Sequence, residues 1–152
     1  ADGTKPVEAR VAALKATEKR AGLDRIDGYR GYGERVQRTK GRLLAFLRHA
    51  KEEGKRIAGY GAPAKGNTLL NYCGIGPDVV EFTVDRSPHK QGRFLPGSHI
   101  PVLHPDRIRE ARPDYLLILP WNLKEEVMAQ MAHIREWGGR FVVPIPDLAV
   151  LP

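Results

Sequence analysis

Cysteine is almost absent: Cys73 is the single one in 152 residues. One thiol cannot close an internal disulfide or build a cysteine zinc site, so both are excluded within this chain. A reducing, cytoplasmic setting fits that usage. Long apolar runs are also missing. None approaches the ~20 residues that span a bilayer, so no membrane partner is expected. The opening, Ala1-Asp2-Gly3-Thr4-Lys5-Pro6, carries neither the basic nor the apolar stretch of a signal peptide, and it lacks an initiator Met. The chain therefore reads as a piece of a longer polypeptide. What remains suits one soluble domain: 41% of residues are hydrophobic and 28% charged, enough for a single core under a solvated surface.

The net charge of +7 is unevenly placed. Residues 1–56 hold 15 Lys and Arg against 8 Asp and Glu, whereas residues 57–152 hold 10 of each. The excess lies wholly in the N-terminal third. A basic region can face nucleic acid, an acidic neighbour or plain solvent. These cations are dispersed among Ala, Leu and Glu, which favours a solvated helix face and disfavours nucleic acid.

Periodicity divides the chain. Thr4 can cap a first helix with Pro6 in its first turn, Val7, Val11 and Leu14 along one face, and Gly22 as its stop. A second helix is expected from Glu34 to Glu53, with Val36, Leu43, Leu47 and Ala50 in one stripe. After Gly54 short apolar strands alternate with helices. Strands are expected at Arg56–Tyr60, Val79–Val84, Tyr115–Leu119 and Phe141–Pro144. A helix through Thr68 to Tyr72, a short one at Pro105–Glu110 and a long one after Asn122 separate them, Asn122 being the expected cap with Glu125 as its partner. Alternation implies an α/β fold: a Rossmann-like parallel sheet of four to five strands with flanking helices and an N-terminal helical extension. The expected division is residues 1–28 as helix and connection, and 29–152 as the sheet domain. Sequential winding gives the strand order 2-1-3-4. Ligands then bind beside the reversal, at the carboxyl ends of strands one and three.

The strongest motif lies there: Gly59-Tyr60-Gly61-Ala62-Pro63-Ala64-Lys65-Gly66. Glycines let a ligand approach the backbone, the next helix offers free N–H groups, and Lys65 adds a full charge, so Gly61, Ala62, Lys65, Gly66 and Asn67 suit a phosphate. The third glycine falls two residues too late for a dinucleotide fingerprint, and no Gly-Lys-Ser/Thr follows. The alternative is a tight turn with no ligand. Asp85, closing the second strand, either holds a ribose or serves as a turn residue. Arg86, His89, Lys90 and Arg93 lie on a mobile-looking polar loop that can clamp a diphosphate or carboxylate, or simply be solvated. Trp121 can stack on a flat ring or pack on the sheet edge. His49, His99, His104 and His133 have no ligand spacing and read as structural or exposed, and Cys73 reads as core. No catalytic triad or paired-carboxylate site stands out.

Four blocks then carry a resemblance. They are Ile57 to Thr68, Phe82 to Arg93, Asp114-Tyr115 to Pro120-Trp121-Asn122, and Ile134-Arg135-Glu136-Trp137-Gly138-Gly139. In that order, across about Tyr29 to Pro146, they resemble the C-terminal domain of SAM-dependent C-methyltransferases that act on keto-deoxysugars carried by a nucleoside diphosphate. The resemblance implies a three-part parent: a cysteine zinc module, a middle domain with SAM and the catalytic base, and a Rossmann-like domain closing over the nucleotide sugar. It implies no catalytic residue, metal or cofactor in this chain, with SAM and zinc in the missing parts. The implied partners are the nucleoside diphosphate sugar and the preceding SAM-binding domain. Two other readings stay open: a stand-alone NAD-type dinucleotide module, and a basic interaction domain.

Overall fold

A computed structural model describes residues 8–152. The expected cap Thr4, together with Pro6 and Val7, lies outside the described residues. The chain separates into two compact units, residues 1–37 and residues 38–152.

In the first unit, α1 (Ala9–Arg20) ends where Gly22, at φ +73°, lets its amide reach the Lys19 carbonyl. Leu23 then bonds back to Glu18, a helix stop that favours glycine. No residue of α1 is buried, and Leu14 is 59% exposed. A 3-10 turn, Ile26–Tyr29, follows.

The long helix α2 (Tyr32–Glu52) runs on into the second unit, where Leu43, Leu47 and Ala50 are buried as their helical spacing requires. Next come β1 (Ile57–Tyr60), α3 (Ala64–Cys73) and β2 (Thr83–Val84). Then β3 (Arg93–Phe94), β4 (Pro101–Leu103), α4 (Arg107–Ala111) and β5 (Tyr115–Ile118). The chain closes with α5 (Lys124–Gln130), a 3-10 helix (Ala132–Trp137), β6 (Arg140–Val143) and β7 (Ala149–Leu151). One sheet of seven strands results, in the order β3-β4-β2-β1-β5-β6-β7. The four expected strands stand in the expected order as β2-β1-β5-β6, all parallel, but the second is corrected from Val79–Val84 to Thr83–Val84, because the chain still turns at Val79 and bends at Val80. Three strands exceed the expectation. The strand β4 extends the parallel sheet, while β3 and β7 pair antiparallel at its two edges.

The sheet is covered on both faces, and its residues alternate between two cores. Leu117 in β5 joins the side of Leu43, Leu47 and Leu70, and Leu116 and Ile118 join the side of Ile108, Val127 and Ile134. The expected long last helix is corrected: it breaks at Met131 into α5 and the 3-10 helix. Its stripe of Val127, Met131 and Ile134 is still buried. Among the described residues no helix is long and apolar enough to cross a membrane.

Candidate functional site

The strand β1 leads into the glycine loop at the carboxyl edge of the sheet. Gly61 sits at φ +88°, and its amide bonds to the Val84 carbonyl at 2.6 Å. Its own carbonyl accepts the buried Thr83 hydroxyl at 2.8 Å. A Cβ on Gly61 would stand 2.7 Å from Pro120 Cδ, and one on Gly66 would stand 2.7 Å from Leu119 Cβ. The glycines thus let α3 and the loop after β5 close against each other. The helix α3 starts from an extended Pro63 with no side chain capping it among the described residues, so its first-turn amides keep the partial positive charge of a helix start.

Asp85 fixes this loop. Its Oδ2 accepts the Ala62 amide at 2.8 Å and Lys90 Nζ at 3.1 Å, and its Oδ1 accepts the Ser87 amide at 2.8 Å. Lys90 also donates to the Ala62 carbonyl at 3.1 Å, so both backbone polar groups of Ala62 are held. Burial pushes the Asp85 carboxyl up, but the Ser87 and Ala62 amides and the Lys90 ammonium outweigh it and leave it below the usual carboxylate range. The loop that reads as mobile is tied: Gln91 donates to the Asp85 carbonyl at 2.9 Å, and the Lys90 amide to Ser87 at 3.0 Å.

Between these loops and α5 lies a cleft of about 230 Å³. It is lined by the polar Tyr60, Asp85, Arg86, Lys90, Glu126 and Gln130, by the apolar Pro63, Pro120, Leu123 and Val127, and by Gly61. The Tyr60 hydroxyl donates to Gln130 Oε1 at 2.6 Å, and Gln130 Nε2 donates to Glu126 Oε1 at 2.7 Å. Burial, helped by Asp85 and Glu126 against the pull of Arg86, pushes the Tyr60 phenol up, so it stays a donor. Arg86 reaches Glu126 at 3.7 Å.

Gly61, Asp85, Arg86 and Lys90 therefore meet in one cleft, and the other expected residues lie elsewhere. Lys65 does not line it. Its ammonium lies 4.4 Å from the Trp121 ring centroid and donates to Asn122 Oδ1. Asn122 is not the cap of the last helix either: α5 starts after Leu123, and the Asn122 side chain is turned to Lys65. Trp121 is half-buried against both cores. Ala62 contributes its amide to Asp85, Gly66 packs on Leu119, and Asn67 accepts Asn71 Nδ2 at 3.3 Å. His89 and Arg93 are exposed, joined by Arg93 Nε to the His89 carbonyl at 3.0 Å, and neither lines the cleft. Tyr60, Glu126 and Gln130 escape the sequence reading. Glu126 and Gln130 share a helix face at i, i+4, which marks any solvated helix and singles out neither. Among the described residues no three His, Cys, Asp or Glu side chains gather as a metal-ligand set.

Parallel strands wound both ways from β1, with a cleft at the reversal, define a Rossmann-like α/β domain. The chain belongs to the C-methyltransferase C-terminal domain family, whose model matches residues 1–146. It is similar to the C-methyltransferase NovU of Streptomyces niveus, at 39% identity over 141 residues. That match takes in 93% of this chain but 34% of NovU, so the chain spans about a third of that curated relative. Among solved structures it is similar to UDP-D-quinovosamine 4-dehydrogenase from Vibrio fischeri, with 17% identity, a TM-score of 0.48, and coverage of 64% of this chain and 93% of that one.

Proposed function

We propose that this domain is the substrate side of a SAM-dependent C-methyltransferase acting on a nucleotide-linked keto-deoxysugar, and that it is not catalytic alone. The observation that carries the reading is the cleft itself. It sits at the strand reversal and has charged and apolar walls, yet at about 230 Å³ it falls below the ~300–1,000 Å³ of a complete small-molecule site. A second wall from a neighbouring domain fits that deficit, and the NovU match, which leaves two thirds of that relative uncovered, supports one.

The glycine loop does not suit SAM or a dinucleotide. Asp85, where a ribose acid would stand, already holds two amides and Lys90. Pro120 fills the space beside Gly61. By the family resemblance, SAM, zinc and the catalytic base belong to the remainder of the polypeptide. SAM, when bound there, supplies the electrophilic methyl group. C-methylation beside a keto group passes through an enolate, which needs fixed dipoles and exclusion of water. This domain's part is to hold the nucleotide sugar and cover the reacting end. Its residues for that task are Gly61, Asp85, Arg86 and Lys90 in the cleft. Lys65 and Trp121, with Ala62, Gly66 and Asn67, belong to the glycine loop, the start of α3 and the turn after β5, outside the cleft lining, and His89 and Arg93 lie farther along the loop after β2.

The test is a calorimetric titration of the full-length polypeptide with a thymidine diphosphate sugar. Binding that weakens on Lys65→Ala supports a ligand reaching the start of α3. No binding by the full-length protein refutes the reading. The NAD-type reading keeps only the sequence order of strand, glycine loop and Asp85 in its favour, and a thermal shift with NAD would promote it. The basic interaction reading is weakened by pairing: Arg42 bonds Asp147 at 2.7 Å and Arg56 bonds Glu81 at 2.7 Å.

A further inference from the structure

The four charged side chains of the cleft cancel as two ion pairs of unlike strength. Asp85 is only 14% exposed and meets Lys90 at 3.1 Å, and Lys90 is held again by the Ala62 carbonyl. Drawing Lys90 toward a ligand would strip Asp85 of its counter-charge in a partly buried place, which is costly. Arg86 and Glu126 differ. They stand 3.7 Å apart, beyond hydrogen-bond length, with side chains 68% and 58% exposed. Such a pair is weak and easily exchanged.

We infer that Arg86 is the residue that reads the ligand's negative charge and that Glu126 is its resident competitor. This rests on the nucleotide-sugar reading. A guanidinium presents a planar fork of donors that matches two phosphate oxygens, and Arg86 leaves only a loose partner to make that contact. Glu126 does not leave with it. Its Oε1, the oxygen nearest Arg86, also accepts Gln130 Nε2 at 2.7 Å, and Gln130 in turn accepts the Tyr60 hydroxyl. The carboxylate therefore stays at the wall, repels a phosphate placed on its own side, and offers an acceptor to a ligand hydroxyl. The ligand class that satisfies both is a diphosphate joined to a hydroxyl-bearing sugar, with phosphate toward Arg86 and hydroxyl toward Glu126.

The test is calorimetry of the full-length polypeptide with thymidine diphosphate, comparing wild type, Arg86→Gln and Glu126→Gln. Both side chains are more than half exposed, so neither substitution threatens the fold. Arg86→Gln should weaken binding by at least about tenfold, the worth of a charged hydrogen bond. Glu126→Gln should tighten it by about two- to fivefold, the worth of an exposed ion pair released. If wild type binds and both variants match it, Arg86 does not read the charge and only this inference falls. If wild type binds no thymidine diphosphate, the substrate reading falls and takes this inference with it.

Discussion

Replacing Gly61 by alanine tests whether the glycine loop is shaped by packing as well as by backbone conformation. At φ +88° any side chain meets the left-handed penalty of about 1–2 kcal/mol. The new Cβ would also stand 2.7 Å and 3.1 Å from Pro120 Cδ and Cγ and 3.4 Å from Pro63 Cδ. These atoms belong to two rigid rings, so neither can swing aside. Overpacking of this kind costs about 1–3 kcal/mol, giving a total of about 2–5 kcal/mol. Gly74 supplies the control. Its φ is +68°, yet a Cβ there meets nothing within 4 Å, so Gly74→Ala should cost only the backbone share of about 1–2 kcal/mol. Urea unfolding of the chain, with midpoints compared at constant slope, reads both values. If Gly61→Ala costs no more than Gly74→Ala, Pro120 does not close on the loop and the account of the glycines is wrong.

Asp85→Asn should destabilise the chain by about 1.5–3 kcal/mol at neutral pH, because it removes a charged acceptor that is only 14% exposed. The folded-state pKa of Asp85 lies below its ordinary value, so its contribution is full above about pH 4 and fades as pH falls through the folded pKa. The gap between wild type and variant should therefore shrink on acidification, and a gap that is constant or widening to pH 3 contradicts the loop lock. Cys73 is 5% exposed and burial pushes its thiol up, so a thiol reagent should label it slowly in the native chain and fast in denaturant. Equal rates would remove it from the core.

The sheet was most legible at the two strands of its centre, β1 and β5. Ile57–Tyr60 and Tyr115–Ile118 are buried on both faces, so they read as unbroken apolar runs. Arg93-Phe94 and Pro101–Leu103 are too short, and too close to glycine and proline, to show any period. Met131 continues an apolar helical stripe, so periodicity predicts one helix across it. The break shows only in the backbone, at the passage from Gln130 to Ala132. Asp85 and the loop after it could be singled out because charged groups after a strand end are conspicuous. Their partners could not. Sequence places Lys65 beside a helix start, but the three-dimensional proximity of Trp121 and Asn122, more than fifty residues on, draws its ammonium away. Tyr60 and Gln130 meet only because the winding brings α5 over the end of β1.

The antiparallel margins of the sheet bear on how such a domain lives inside a larger polypeptide. A bare parallel edge exposes a row of amides and carbonyls that any extended segment can zip onto. Here the outermost ribbons measure two and three residues. One of them displays Arg93 and Phe94, both exposed. Templates that brief give an incoming chain few bonds to capture. The fold is thus guarded against gluing itself sideways to its neighbours.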